Sequence, residues 1–187
     1  MNIVLASRSP QRVNLMQAAG YSFECDPADI DESNVPPGLD AVGTAEYLAL
    51  AKAKRVAARQ PGRVVIGADT VVALGEELLG KPEDADHARR MIRGLSGSTH
   101  RVITGVAVVS DAAEVVDHTV STVTMRPLSD AEIETYVASN DWQGKAGGYG
   151  IQDEDPFVTC VAGPADNVIG LPMELVAALL TPAGGAM

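Results

Sequence analysis

Apolar residues fall into two kinds of grouping along the chain, short runs bounded by turn residues and longer stretches with helical spacing. Asn2 to Ala6 is a short apolar run and predicts a buried strand. Ser9-Pro10 then opens a helix, with Ser as N-cap and Pro in the first position, and Gly20 stands where a C′ glycine belongs. Tyr21 to Cys25 predicts a second strand, followed by an acidic, proline-bearing loop from Asp26 to Gly38. Thr44 to Arg59 is alanine-rich with leucines inside and ends before Pro61-Gly62, a helix. Val64-Val65-Ile66 predicts a buried strand leading into Gly67-Ala68-Asp69, continued by Val71 to Leu74 and a hairpin turn at Gly75-Glu76.

Farther along, Asp84 caps a helix through Arg93 that Gly94 closes. Arg101 to Val109 and Glu114 to Thr124 are two β-rich runs around the polar Ser110-Asp111 turn, and Ser129-x-x-Glu132 is a capping box for a helix to about Ala138. The glycine-dense segment Gly144 to Gly150 reads as a loop, because β-rich Phe157 to Ala162 and a final helix after Pro172 follow it. Helices alternate with strands and hairpins, so the expected fold class is α/β, a mixed sheet with flanking helices. No repeat or linker divides residues 1–187, and a single domain is expected.

Charge narrows the chemistry. The 187 residues carry a net charge of −11 and are 46% hydrophobic, enough for a core without a disulfide or zinc staple. So acidic a surface excludes sequence-independent binding of duplex nucleic acid, and an anionic substrate has to meet a local cluster of cations. Cys25 and Cys160 stand far apart without CxxC spacing and are expected to be buried small hydrophobes. Met1 to Ala6 lacks a basic n-region and no apolar run is long enough to span a bilayer, so no membrane is involved and the expected location is cytoplasmic.

Several motifs fail on inspection. Gly75 to Pro82 matches a P-loop except at its last position, where Pro82 lacks the hydroxyl that binds the metal, and two glutamates inside it would repel phosphates. Gly148-x-Gly150 lacks the third glycine of a dinucleotide fold. Asp69 could be the nucleophile of an aspartyl-phosphate phosphatase, but the acid expected two residues later is Val71. His87, His100 and His118 share no ligand spacing, which leaves a zinc site little support.

Other features hold. Ser7-Arg8-Ser9-Pro10-Gln11-Arg12 lies between a strand and a helix N-terminus, where free amides, hydroxyls and Arg12 favour an anion, although Ser9 as a simple cap is an equal alternative. Lys81, one of four lysines, sits in a proline-stiffened turn, either as a fixed ammonium or as an ordinary solvated lysine. Asp69 follows a buried run, so its carboxylate has to pair or bind a metal.

Eight blocks stand in order along the chain. They are Leu5-Ala6-Ser7-x-Ser9-Pro10-x-Arg12, Asp31-Glu32, Leu48-Ala49-x-x-Lys52-Ala53, Gly67-Ala68-Asp69-Thr70-Val71-Val72 and Leu79-Gly80-Lys81-Pro82. The series continues with Leu95-Ser96-Gly97-x-Thr99-His100-x-Val102-x-Thr104-Gly105, Lys145 to Gln152, and Asn167 to Pro172. Together they resemble the Maf family, septum-formation proteins that act as nucleoside triphosphate pyrophosphatases.

The resemblance implies an elongated, twisted mixed sheet of the inosine-triphosphatase-like (Maf/Ham1) type, a cleft between two lobes, and a homodimer. It implies hydrolysis of a nucleoside triphosphate to monophosphate and pyrophosphate with a divalent cation, Mg²⁺ or Mn²⁺, in nucleotide-pool sanitation and cell division arrest. By position, Asp69 matches the acid-base residue, Ser7, Arg12, Glu32, Lys52 and Lys81 the phosphate- and metal-handling residues, and Arg12, Thr70 and Gln152 the specificity residues. Asp69 and Glu32 are the implied metal ligands, Asp69, Lys52 and Lys81 the catalytic set, and Ser7, Ser9, Arg12, Thr70 and Gln152 the substrate-binding set. The blocks at Asp69-Thr70-Val71-Val72 and Tyr149-Gly150-Ile151-Gln152 resemble the dTTP/UTP subgroup.

A catalytically silent nucleotide sensor acting on the division machinery is the alternative from another class. Departures from the family pattern are Asp153-Glu154-Asp155-Pro156, three carboxylates near the expected cleft, and Gly163-Pro164-Ala165 before Asn167.

Overall fold

The computed structural model describes residues 2–153 and 157–181. Strands β1 (Ile3–Leu5), β2 (Phe23–Cys25), β3 (Val64–Leu74), β4 (Glu77–Leu79), β5 (Thr99–Val109), β6 (Glu114–Met125) and β7 (Val158–Ala162) form one sheet. Their order is β2-β1-β3-β5-β6-β7, with β4 paired to β3. β1 runs parallel to β2 and β3 and the other pairs are antiparallel, so the sheet is mixed as the element pattern predicts. Around it lie α1 (Pro10–Ala18), α2 (Ala41–Ala57), α3 (Ala85–Leu95), α4 (Asp130–Ser139), α5 (Ala165–Ile169) and α6 (Met173–Leu180). None of the described helices is long and apolar enough to cross a membrane.

The strand pleat sorts the core. Even-numbered β3 residues Ile66 and Ala68 pack with Met16 of α1 and Val176 and Leu180 of α6, while Val72 packs with Ile92 and Leu95 of α3 and Ile133 of α4. These are two separate apolar clusters on one face of the sheet. The odd-numbered face is covered by α2.

α2 sits unusually close. Ala45, Ala49 and Ala53, spaced by four, are all fully buried, and beneath them lie Gly67 of β3 and Gly105 of β5. A Cβ on Gly67 would stand 2.3 Å from the Ala49 carbonyl oxygen, and one on Gly105 would stand 2.4 Å from that of Ala45. Small residues on both partners therefore let helix backbone rest on sheet backbone.

Some boundaries differ from the sequence reading. α2 begins at Ala41, three residues before the expected Thr44, because Asp40 caps it by accepting from the Gly43 amide at 2.8 Å. α3 runs past Gly94 to Leu95, a fully buried side chain that holds the last turn down, and the chain turns at Gly97 instead. Cys25 is exposed and Cys160 half-buried, against the expectation of burial, because each lies on an edge strand, β2 and β7.

One irregularity of the sheet positions everything that follows. β1 pairs with β3 only from Val64 to Ile66, and on the same side β4 takes over only from Val72 to Leu74. Between them residues 67–71 have no strand neighbour on that side among the described residues, and the chain leaving β1 at Ser7 runs past the gap into α1. Sheets of this kind bind ligands where the strand neighbours part.

Candidate active site

The cleft at this gap has a volume of about 510 Å³ and is lined by Ser7, Ser9, Arg12, Glu32, Lys52, Asp69, Thr70, Lys81 and Gln152 among others. Every residue singled out as a site candidate in the sequence is thus brought to one cavity. Five lining side chains are cationic, Arg8, Arg12, Lys52, Lys81 and Lys145, against the three carboxylates Asp29, Glu32 and Asp69. The cleft is a positive pocket in an acidic molecule, as an anionic ligand requires.

On the α2 face, charges alternate in a chain. Asp69 Oδ1 accepts from Lys52 Nζ at 2.6 Å, the same ammonium lies 2.7 Å from Glu32 Oε1, and Lys81 Nζ donates to Glu32 Oε2 at 2.9 Å. Lys52 and Asp69 are buried at 6% and 5% exposure, so each satisfies the other's charge where water cannot. Burial of Glu32 works against its charge, but Lys52 and Lys81 outweigh that and hold its carboxyl down at about 2. Asp69 and Glu32 converge on the Lys52 ammonium, and as hard oxygen donors lining one cleft they are of the type that a Mg²⁺ or Mn²⁺ ion takes.

Thr70 points to the other face, one step along the pleat. Arg12 fixes it there: Nη2 donates to Thr70 Oγ1 at 3.0 Å, Nη1 to the Ala68 carbonyl at 2.8 Å, and Nε to the Gly170 carbonyl at 2.8 Å. Ala68 lies in the unpaired part of β3, so Arg12 satisfies an acceptor that a neighbouring strand would otherwise take. Burial lowers the pKa of the guanidinium, and Asp69 and Glu32 oppose that shift. Ser9 is the α1 cap, accepting from the Arg12 amide at 3.4 Å, and Ser7 Oγ accepts from the Ser9 amide at 3.1 Å.

The glycine-rich segment forms the opposite wall. Asp153, placed by the sequence reading among carboxylates crowding the cleft, turns inward instead: it pairs with Lys145, accepts from Tyr136 Oη at 2.9 Å and accepts from the Gly150 amide at 3.0 Å. Its charge is thus neutralised within the wall. Glu154 and Asp155 lie outside the described residues. Gln152 lines the cleft, and its amide has no hydrogen-bond partner among the described residues. Asp153 ties down the loop through these bonds.

Reasoning from sequence missed two participants in the lining, Lys145 and the Arg8–Asp29 pair (2.5 Å) at the exposed rim. Lys145 was visible as one of four lysines inside the glycine block, but its orientation depends on Asp153. His118, which showed no ligand spacing, comes together with Glu46 and Asp117 in a group that could hold a metal ion, with ligand atoms within 4.8 Å of one another. None of the three lines the cleft.

Tyr149 anchors the wall through its hydroxyl, 2.5 Å from His100 Nε2, while His100 Nδ1 is buried without a partner among the described residues. Burial drives the His100 pKa down from 6.5 to about 4. Between those values the unfolded chain is protonated at this site and the folded one is not, so stability falls as pH drops from about 6.5 toward 4. The loss reaches about 3 kcal/mol at the acid end of the window. Melting temperatures from pH 7 to pH 4.5 should fall more steeply for the parent than for His100→Asn. Equal slopes would remove His100 from the account.

Comparison with known proteins gives a consistent picture. The family model described as Maf-like protein matches residues 2–183. The dTTP/UTP pyrophosphatase of Anaeromyxobacter dehalogenans (strain 2CP-C) is 45% identical over 189 residues, covering 97% of this chain and 94% of that protein. The dTTP/UTP pyrophosphatase of Lacticaseibacillus casei (strain BL23) is 42% identical over 180 residues, covering 95% and 97%. Among solved structures, a HAM1 protein from Coxiella burnetii aligns over 67% of this chain and 73% of that one, at 19% identity and a TM-score of 0.45.

Proposed function

Because the chain belongs to the Maf family, we propose that it is a nucleoside triphosphate pyrophosphatase that hydrolyses dTTP and UTP to the monophosphate and pyrophosphate. The observation that carries this reading is the alternating chain Asp69–Lys52–Glu32–Lys81 in a cleft whose opposite wall offers Gln152. The reading extends to modified pyrimidine triphosphates, nucleotide-pool sanitation and a link to division arrest. It places the enzyme in the cytoplasm as a homodimer, away from duplex nucleic acid and membrane, with residues 1–187 acting as one domain.

Water attacks the α-phosphorus while negative charge builds on the departing pyrophosphate. Most of the catalysis is therefore positioning plus cationic stabilisation. Lys52 and Lys81 neutralise the leaving phosphates, and Ser7 and Ser9, beside the first turn of α1, hold phosphate oxygens. Asp69 and Glu32 would hold a divalent cation, which when bound polarises the phosphates and acidifies a water. Asp69 supplies the negative charge that this ion or the proton of the attacking water needs.

On the other face, Thr70, Arg12 and Gln152 meet the base. Uracil and thymine present an N3–H donor between two carbonyl acceptors, and the Gln152 amide offers one acceptor and one donor to that edge. Cytosine reverses the N3 and C4 positions, and a site built on such hydrogen bonds discriminates by several orders of magnitude. The test is pyrophosphate and orthophosphate release with Mg²⁺ or Mn²⁺ on UTP, dTTP, CTP, purine triphosphates and 7-methyl-GTP. UTP and dTTP should give the highest kcat/KM with pyrophosphate as product. A phosphomonoesterase would yield orthophosphate, a silent sensor neither product, and a best rate on CTP or 7-methyl-GTP would overturn the specificity.

A further inference from the structure

Behind Thr70 runs a chain of buried hydroxyls whose direction follows from counting protons. Thr70 Oγ1 accepts from Arg12 Nη2 and lies 3.0 Å from Thr104 Oγ1, its cross-strand partner on β5. Thr104, with no exposed surface, donates to the Asn167 carbonyl at 2.9 Å. A hydroxyl has one proton and two lone pairs. The Asn167 carbonyl can only accept, so it takes the single proton of Thr104. The proton between the two threonines must then come from Thr70.

Thr70 has thus given its proton to Thr104 and one lone pair to Arg12. One lone pair is left on a residue that lines the cleft. Toward a ligand Thr70 is an acceptor only. The far end of the chain cannot reverse either: Asn167 is fully buried, and its Nδ2 donates to the Val102 carbonyl at 3.0 Å and to Ser121 Oγ at 2.9 Å. Ser121 Oγ in turn donates to the Pro164 carbonyl at 2.9 Å.

We propose that Thr104 is a specificity-determining positioning residue, which draws the Thr70 proton away from the cleft and so makes Thr70 a hydrogen-bond acceptor that shares the N3–H of uracil or thymine with the Gln152 amide oxygen in a three-centre bond. Cytosine brings a lone pair at N3 and meets another lone pair. Arg12, with two N–H groups beyond those already engaged, supplies donors for the neighbouring carbonyl. The proposal rests on the reading that Thr70 faces the base of a pyrimidine triphosphate.

Thr104→Val keeps the shape and removes the hydroxyl, so Thr70 can rotate its proton into the cleft and donate to cytosine N3. The ratio of kcat/KM for UTP over CTP should fall about tenfold, with CTP gaining, and Thr104→Ser should restore it. Thr104→Ala, which removes the same hydroxyl, stands in if the valine variant is unstable. A purely structural threonine would lower both substrates together and leave the ratio unchanged, which overturns the proposal. A parent enzyme that itself does not prefer UTP over CTP overturns both this proposal and the specificity reading. A preference in the parent that survives intact in Thr104→Val and Thr104→Ala overturns this one alone.

Discussion

Asp69→Asn should lower turnover of UTP by about 10³-fold or more while the melting temperature moves by only a few degrees. The amide keeps the shape and still accepts from Lys52, whose ammonium retains Glu32 at 2.7 Å, so no buried charge is stranded. What disappears is the negative charge at the centre of the cleft. Proton abstraction from water and coordination of a divalent ion both need it, and losing a positioned acid-base group alone costs about 10²–10⁴-fold. Activity within a few-fold of the parent, measured as pyrophosphate release at saturating Mg²⁺, would remove Asp69 from the chemistry.

Gly67→Ala should be strongly damaging for so small a change, costing about 3 kcal/mol of stability. Its Cβ would stand 2.3 Å from the Ala49 oxygen and 2.7 Å from the Ala53 nitrogen, both helix backbone that no rotamer change can move aside. α2 must then lift from the sheet, and Lys52, one residue before Ala53, leaves Asp69 with it. Denaturant midpoint and kcat should therefore drop together. Gly94→Ala is the control, since nothing lies within 4 Å of its Cβ and α3 is helical there, so alanine should be neutral or slightly stabilising. A Gly67→Ala protein as stable as the parent would show that the close contact of helix and sheet is not needed.

The parts legible in the sequence are those set locally. Ser9 and Ser129 announce their helices because a cap bonds to an amide two or three residues on, and the capping box at Ser129 and Glu132 forms as expected. The long strands follow from their apolar runs, and the mixed sheet from the alternation of elements. Of the charged chain, Lys81 stands out as one of four lysines and Asp69 as a carboxylate after a buried run, whereas Lys52 and Glu32 enter only through the family resemblance. Hidden from the sequence was whatever depends on a partner far along the chain. Cys25 is exposed because β2 is an edge strand, a fact of pairing order. Asp153 is an internal counterion because Lys145, Tyr136 and the Gly150 amide meet around it, whereas in the sequence it is one of three carboxylates near the expected cleft that depart from the family pattern. The five-residue α5 carried no periodic signal, yet it delivers Asn167 to Thr104.

Asp69 and Thr70 are neighbours in the chain and project to opposite sides of the pleat, and the unpaired stretch of β3 lets one cleft reach both. On the proposed reading, reaction and selectivity sit on separate surfaces of a single strand, and substitutions behind Thr70, at Thr104 or Asn167, should retune which base is accepted while the Lys52–Asp69 pair stays untouched. An insertion or deletion of one residue ahead of Asp69 in β3 would exchange the two sides and end both activities at once. Point changes on either side should therefore be tolerated far better than any change in the length of this strand up to the gap.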